Sequence, residues 1–424
     1  MIYNQALTTE QRKKSQINYI GYNAINGASY MCIGETIIIL FANKIGAPPY
    51  IISIIGAMLY FSYMLVPLGL LRTAKVGAAK SLADFWLYRN LSVLLIIGSL
   101  FVNPYLPVVA WLMIILGGFL FYGFRGAGVV MAFPLMGEIT DSSDRAKFIG
   151  TSNAFFYLLG VITLVSSSLI LKQNDDIKVI ASIIGAGVLI GFTALPFINR
   201  IDETTEIKKS AQHSFLDSVK IAIAEPSIPS QIFAGIAISG SIILLTPLTL
   251  PILSKCYSVS DSLAITLSII QFVTMIAGSY FGGVLATKFG PRIIIICGFL
   301  VAFLISFFWI FVPAKLPVSP ICSYLFLGLP FVLNGLLAAI APNSLGHYFL
   351  SIVPKERQVS AILFMQVAVG VLAGLIGMVL SWGFLKIAEN CYTEQLQIFK
   401  TYYILTLIFL CLGLVPMLRL KRVK

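Results

Sequence analysis

Lys75-Val76-Gly77 lies in one short polar break of the chain, and Lys288-Phe289-Gly290 lies in another. Asp144-Arg145 is echoed in the same way by Glu356-Arg357. The separations are 288 − 75 = 213 and 357 − 145 = 212, while half of the 424-residue chain is 212. Each break sits between long apolar runs. A chain that repeats its loop chemistry at half its length reads as two copies of one unit. Membrane carriers are built from such internal repeats, with solute sites where the copies meet.

The composition around those breaks is that of a membrane protein. The chain is 58% hydrophobic and 11% charged, against roughly 25% charged residues in soluble domains. Its apolar runs reach about 20 residues or more, enough to cross a hydrocarbon core of about 30 Å as helices. Lipid offers backbone groups no partners, which leaves helices and closed barrels. Barrel strands alternate over segments of about 10 residues; residues 91–102 and 293–312 are continuously apolar instead. The expectation is therefore an all-α integral membrane protein with twelve transmembrane helices. They are placed at roughly 17–41, 50–71, 82–102, 107–136, 147–171, 177–199, 228–253, 262–286, 292–313, 320–349, 359–386 and 397–418. Two six-helix bundles follow, at 1–199 and 228–424, with a cytoplasmic linker at 200–227. Phe215, Val219 and Ile223, spaced i, i+4 and i+8, predict a short amphipathic helix in that linker.

The net charge of +12 is distributed as a membrane topology requires. With the N-terminus inside, 21 Lys and Arg fall in inner segments, Arg89 among them, and 7 in outer loops, with Arg125 left inside a span. That asymmetry is the positive-inside rule, with both termini cytoplasmic, and it removes the nucleic-acid reading. Residues 1–16 are polar and the first apolar run is too long for a signal h-region, so no cleavable signal is expected. The six cysteines form no CxxC or Cys/His spacing, so neither a metal site nor a cofactor is expected. No GxxxxGK[ST] phosphate loop is present, which excludes a primary pump. An enzyme acting on lipid-linked substrates would need converging acids, histidines or metal ligands. The chain has two histidines, His213 and His347, and its Asp175-Asp176 pair reads as a solvated loop.

Candidate working residues are the polar groups inside spans. Arg125 is the sharpest, because a cation near mid-membrane costs about 2.5–3.5 kcal/mol on insertion scales and normally faces a cavity or a partner. It binds an anionic solute group, regulates a nearby proton site, or pairs internally, with Glu138 or a backbone carbonyl. Glu35 is the clearest carboxylate within a span. Burial and a nearby cation move a carboxyl's protonation in opposite directions, the arrangement a proton-coupled carrier needs. Glu35 and Arg125 differ by about 15 Å in depth at 1.5 Å per residue, too far for direct pairing. Asn23, Asn26 and Tyr30 share a helix face, and they suit either a polar solute or interhelical bonds. Tyr157, Ser239, Gln271 and Asn334 are further polar groups near mid-depth.

Six plus six spans around an inner linker resemble the major facilitator superfamily, and the loops carry the likeness further. Gly283-Val284-Leu285-Ala286-Thr287-Lys288-Phe289-Gly290-Pro291-Arg292 resembles the family's loop signature. It departs at Thr287, where the family usually has aspartate. The copy around Lys75, Gly77 and Lys80 has Ala74 at that position. Glycines allow close approach of helix ends, and Lys288 and Arg292 are suited to capping C-terminal carbonyls. Arg125-Gly126-Ala127-Gly128 resembles the family's arginine–glycine pattern in span four. Residues 153–171 hold Gly160 and no proline, unlike the family's antiporters.

The resemblance implies a pseudo-two-fold fold whose cavity is lined by spans one, four, seven and ten, hence by Asn26, Arg125, Ser239 and Asn334. It implies gating loops at Lys75, Gly77, Gly283, Lys288, Gly290 and Arg292, with Arg145 and Arg357. The functional expectation is a secondary active transporter of a small polar solute, neutral or singly anionic, working by alternating access in an inner membrane. Proton-linked symport through Glu35 and Arg125 comes first. Sodium-linked sugar-type symport or uniport, a non-transporting sensor, and a lipid-substrate enzyme are the alternatives. The expected partners are the solute, H+ or Na+, and membrane lipid, with the protein a monomer.

Overall fold

The computed structural model describes residues 2–141, 145–211, 219–220, 224–315, 320–353 and 355–421, apart from the side chains of residues 133, 145–147, 210, 320–321, 350 and 355–360. Asp144, His213, Phe215 and Ile223 lie outside the described residues, as do the side chains of Arg145, Glu356 and Arg357. The expected linker helix and the Asp144-Arg145/Glu356-Arg357 pair therefore receive no structural account.

Twelve described helices are long and apolar enough to cross a membrane. They are Thr9–Lys44, Pro49–Val76, Ala78–Val102, Pro107–Ile139, Phe148–Gln173, Ile177–Ile198, Ile228–Tyr257, Asp261–Phe289, Pro291–Phe311, Cys322–Phe349, Ala361–Cys391 and Gln395–Arg419. All twelve expected spans are present, and below they are spans one to twelve. Span one starts two turns earlier than its hydropathy suggests, because Thr8 and Gln11 form a reciprocal capping box (3.3 and 2.9 Å) that starts the helix in polar sequence.

The chain divides into two compact units. Unit 1 is Met1–Ile45 with Ser62–Asp217, and unit 2 is Gly46–Phe61 with Ser218–Lys424. The boundary inside span two coincides with a 3-10 turn, Ser62–Leu65. Within unit 2 the first helix of span two, Pro49–Phe61, lies against span eleven. Gly374 allows this, since a Cβ there would come within 2.8 Å of the Phe61 backbone.

Strand β1 (Ile2–Tyr3) pairs in parallel with β2 (Glu203–Thr204) within unit 1. Residues read as free linker are thus part of the unit. Glu203 is 1% exposed, and its carboxylate accepts the N–H groups of Ala78 (2.7 Å) and Ala79 (3.1 Å) at the start of span three. The Glu138 carboxylate accepts from the Thr204 N–H (2.8 Å) and from its hydroxyl, and the Asp202 N–H donates to Ser15 Oγ (2.9 Å). An acid at a helix N-terminus meets both unsatisfied donors and the positive end of the helix dipole. Burial pushes the Glu203 carboxyl above the ordinary range, and the two N–H bonds pull it partly back.

Spans one, two, four, six and seven each consist of more than one helical segment. Span one consists of helices Thr9–Ile33 and Glu35–Lys44 around Gly34. Span seven consists of Ile228–Leu245 and Thr249–Tyr257, with Pro247 between them. Proline lacks an N–H and strips the helix of a bond there. The carbonyls of Leu244 and Leu245 are instead met by the hydroxyls of Tyr402 (2.8 Å) and Tyr403 (3.3 Å). The Leu245 carbonyl also accepts from Thr249 Oγ1 (3.3 Å), so side chains supply the donors that hydrocarbon lacks.

Candidate functional site

Unit 1 holds a cluster of charge in its membrane core. Span three begins at Ala78, so Arg89 stands three helical turns, about 16 Å, along it. This corrects its assignment to the inner basic residues: Arg89 is fully buried. Its Nη2 donates to Ser29 Oγ (2.7 Å), its Nη1 to Asn26 Oδ1 (3.2 Å) and its Nε to Asn90 Oδ1 (3.3 Å). The guanidinium lies 3.7 Å from the centroid of the Trp86 ring and 5.0 Å from that of Phe121. These partners are neutral. Among the described residues no carboxylate forms an ion pair with Arg89.

Arg125 completes a stack that begins at Arg89. Phe121 and Tyr30 lie nearly parallel, with centroids 6.2 Å apart and planes at 16°. The Arg125 guanidinium covers the Tyr30 ring at 4.6 Å. The sequence of groups is guanidinium, phenyl, phenol, guanidinium. Arg125 Nε is buried without a hydrogen-bond partner, and the residue forms no ion pair among the described residues. The internal pairing with Glu138 does not occur, because that carboxylate is held by Thr204. The small residues after Arg125 let span two approach: a Cβ on Gly69 would overlap the Ala127 carbonyl.

Glu35 opens the second helix of span one, directly after Gly34. It is half-buried and makes no ion pair with Arg125 among the described residues. The two charges still act on common neighbours, since Tyr30 and Tyr122 each lie within electrostatic reach of both. The Tyr122 hydroxyl is buried and has no partner.

The other residues singled out in the sequence divide by what their polar atoms meet. Asn23 Nδ2 donates to Ser152 Oγ (2.9 Å) and to the Ser152 carbonyl (3.1 Å), joining span one to span five. Asn26 faces Arg89. Tyr157 is half-buried against Phe156, with centroids 5.4 Å apart. In unit 2, Asn334 is fully buried at the Pro247 break; its Oδ1 accepts from Thr246 Oγ1 (3.2 Å), and its Nδ2 donates to Thr249 Oγ1 (3.3 Å). Ser239 lines a cleft of about 290 Å³ with Gly235, Pro342, Met365 and Gln366. Gln271 is half-exposed, and its carbonyl accepts from Thr274 (2.9 Å), where Gly335 brings span ten against span eight.

The repeated loops share one backbone solution. Gly77 and Gly290 have φ of +89° and +87°, values that side chains strongly disfavour. They are closed differently. Gly77 is covered by Glu203, and nearby Asp84 accepts from Arg72 (2.6 Å) and Lys80 (3.4 Å), providing an acid that the loop lacks at Ala74. At the other loop the Arg292 guanidinium donates to the Leu418 carbonyl (2.6 Å) in the last turn of span twelve. Lys75 is exposed, Lys288 lies 5.3 Å from the Phe289 ring centroid, and Gly283 has open space where a Cβ would sit.

Sequence reasoning missed Arg89, Asn90, Trp86 and Tyr122. The available signal was an arginine flanked by Trp86, Tyr88 and Asn90 well inside an apolar run. The expected span at 82–102 already contains Arg89, and tallying it with the inner basic residues hid it.

The Major Facilitator Superfamily profile matches residues 21–378. No curated protein sequence matches the chain. Among solved structures, a mutant of the nucleoside transporter NupG superposes with a TM-score of 0.70 at 12% identity, covering 96% of this chain and 98% of that one. A bacterial homolog of the human lysosomal transporter Spinster, inward-facing and unoccupied, gives 0.68 at 14% identity over 97% of each chain. A D-xylose-proton symporter gives 0.65 at 13% identity, covering 95% of this chain and 96% of that one. At such identities the likeness is one of fold.

Proposed function

The chain belongs to the Major Facilitator Superfamily, and from that premise we propose that this multi-pass membrane transporter is a secondary active carrier of a small polar solute. It works by alternating access in a cytoplasmic membrane, with both termini on the inner side and a proton as coupling ion. The observation that carries this reading is the disposition of Glu35 and Arg125. Two ionisable groups in the membrane core act on the same two tyrosines without pairing to each other. Charges placed there solely to hold helices together would be joined, because an unpaired ion in hydrocarbon is costly. The D-xylose-proton symporter and NupG, which resemble this chain in fold, are transporters by their names. Tyr30 and Tyr122 offer hydroxyls to a polar solute, and Ser239 and Gln271 are further candidates in unit 2.

The decisive test is uptake by the purified protein in proteoliposomes under an imposed pH gradient. Concentrative uptake is expected for the unaltered protein. Glu35→Gln is expected to abolish accumulation while leaving exchange measurable, and Arg125→Ala to abolish both. Accumulation that persists in Glu35→Gln would remove the proton-coupling role. Absence of any transport by the folded, unaltered protein would instead favour a non-transporting sensor.

A further inference from the structure

The reading above leaves the charge of the solute open, and the charge count of unit 1 bears on it. Arg89 is fully buried in a cage of neutral acceptors, and Arg125 sits over Tyr30 with a buried, unpartnered Nε. The arginines lie within electrostatic reach of each other, so each adds to the positive field at the other. Glu35 is the carboxylate that shares Tyr30 with both arginines and Tyr122 with Arg125. Two guanidinium groups against one carboxylate leave a surplus of one positive charge in a medium that penalises uncompensated ions. Donors without partners accompany that surplus: the Tyr122 hydroxyl, Arg125 Nε and Asn90 Nδ2 are all buried with nothing to bond. Buried polar groups of folded proteins are nearly always satisfied, and three unengaged donors around an uncompensated cation describe a site short of an acceptor.

Resting on the transporter reading, we propose that the solute is a small organic monoanion, a carboxylate. Its anionic group docks on the Arg125 guanidinium beside Tyr30 and Tyr122, and Arg89 supplies fixed positive field from behind Phe121. Arg125 is the contacting residue because it is half-exposed and free of hydrogen bonds. Arg89 is a positioning residue, closed off by Asn26, Ser29, Asn90 and Trp86. With Glu35 ionised, a monoanion brings the sum over Arg89, Arg125 and Glu35 to zero. A neutral solute leaves the surplus standing, and a cation enlarges it.

The test is a binding and uptake screen on the full-length protein. A library of small carboxylates, each paired with its uncharged amide and with the matching amine, is titrated at constant ionic strength. Benzoate, benzamide and benzylamine form one such triplet, and succinate represents the dianions. The readout is the ligand-induced rise in unfolding temperature, converted to an apparent Kd. A monocarboxylate is expected to bind best, with its amide at least about tenfold weaker. Arg125→Gln is expected to raise the Kd of that monocarboxylate at least about tenfold and to remove its preference over the amide. Arg89→Lys, which keeps the charge, is expected to preserve the preference, while Arg89→Gln weakens it. A best ligand that is neutral, cationic or dianionic would overturn the proposal, as would the failure of every carboxylate to bind. A monocarboxylate Kd within twofold of the original in Arg125→Gln would overturn it as well. Uptake separates this from the parent reading. If neutral members are transported and anions are not, the charge assignment fails and the transporter stands. If monoanions bind as described and nothing is transported, the charge assignment stands and the transporter reading fails.

Discussion

Spans one and seven are interrupted at matching places, Gly34 and Thr246, and their offset (246 − 34 = 212) is the spacing at which the loops repeat. The two interruptions are finished differently. At the second, Asn334, Thr246 and Thr249 bond one another, and Tyr402 and Tyr403 meet the carbonyls of Leu244 and Leu245 at the break. At the first, Glu35 follows the break without an ion-pair partner among the described residues, and Tyr122 beside it has a free buried hydroxyl. One break is closed by neutral groups that satisfy each other; the other is left with charge and unused donors. Both copies keep the same backbone device and put it to different uses. Unit 2 uses it as scaffold. In unit 1 it carries an ionisable group, Glu35, with no ion-pair partner among the described residues.

The largest expected effect sharpens that contrast. Arg89→Ala strips the partner from Asn26, Ser29 and Asn90 and opens a void beside Trp86 and Phe121, so it should cost about 3 kcal/mol or more. Asn334→Ala should cost about 1 kcal/mol, a typical interhelical bond in membranes, because Thr249 can keep its bond to the Leu245 carbonyl (3.3 Å). Thermal unfolding of both variants in one detergent checks the ordering. Equal losses would mean that the two cores are built alike.

Next in size are the paired glycine turns. Gly77→Ala forces a side chain into a backbone region reserved for glycine, at about 1–3 kcal/mol. Its Cβ would also overlap the Glu203 carboxylate that caps span three. Gly290→Ala has the backbone strain without that carboxylate, so it should be the milder variant by about 1 kcal/mol, the worth of a lost cap. A Gly290→Ala variant as unstable as Gly77→Ala would show that Glu203 adds nothing to the closure.

The smallest effect concerns pH. The Glu203 carboxyl is raised in the folded protein, so its neutral form is favoured there relative to the unfolded chain. The stability it contributes is complete below the ordinary carboxylate range and declines as pH rises through the raised value. Glu203→Gln should flatten that decline and leave the slope elsewhere unchanged. Melting temperatures over a mildly acidic pH series test the sign. A steeper decline in the variant would reverse the assignment.

How much was readable in advance differs between backbone and site. The twelve spans, the half-chain repeat and the glycine turns follow from local pattern, because hydrocarbon leaves a chain few ways to satisfy its backbone. Arg125 and Glu35 stood out for the same reason, as ions in apolar runs. Arg89 did not, because it was tallied with the inner basic residues although the expected span at 82–102 contains it. Asn23 and Asn26 share a helix face, but one meets Ser152 and the other Arg89, and which neighbour stands opposite is not written in helix periodicity. The parallel pair between residues 2–3 and 203–204 joins the two ends of unit 1, and neither segment reads as a strand in isolation.

By itself, then, the sequence determined that this is a duplicated bundle of twelve membrane helices with charge kept to the loops and a few interior positions, since burial in lipid penalises each residue according to its own chemistry. Only the tertiary structure decided which interior polar groups satisfy one another and which are left wanting. That depends on pairs brought together from distant spans: Arg89 with Asn26 and Ser29, Asn334 with the Pro247 break, Glu203 with the start of span three. The surplus of positive charge around Tyr30 is likewise a property of neighbours in space.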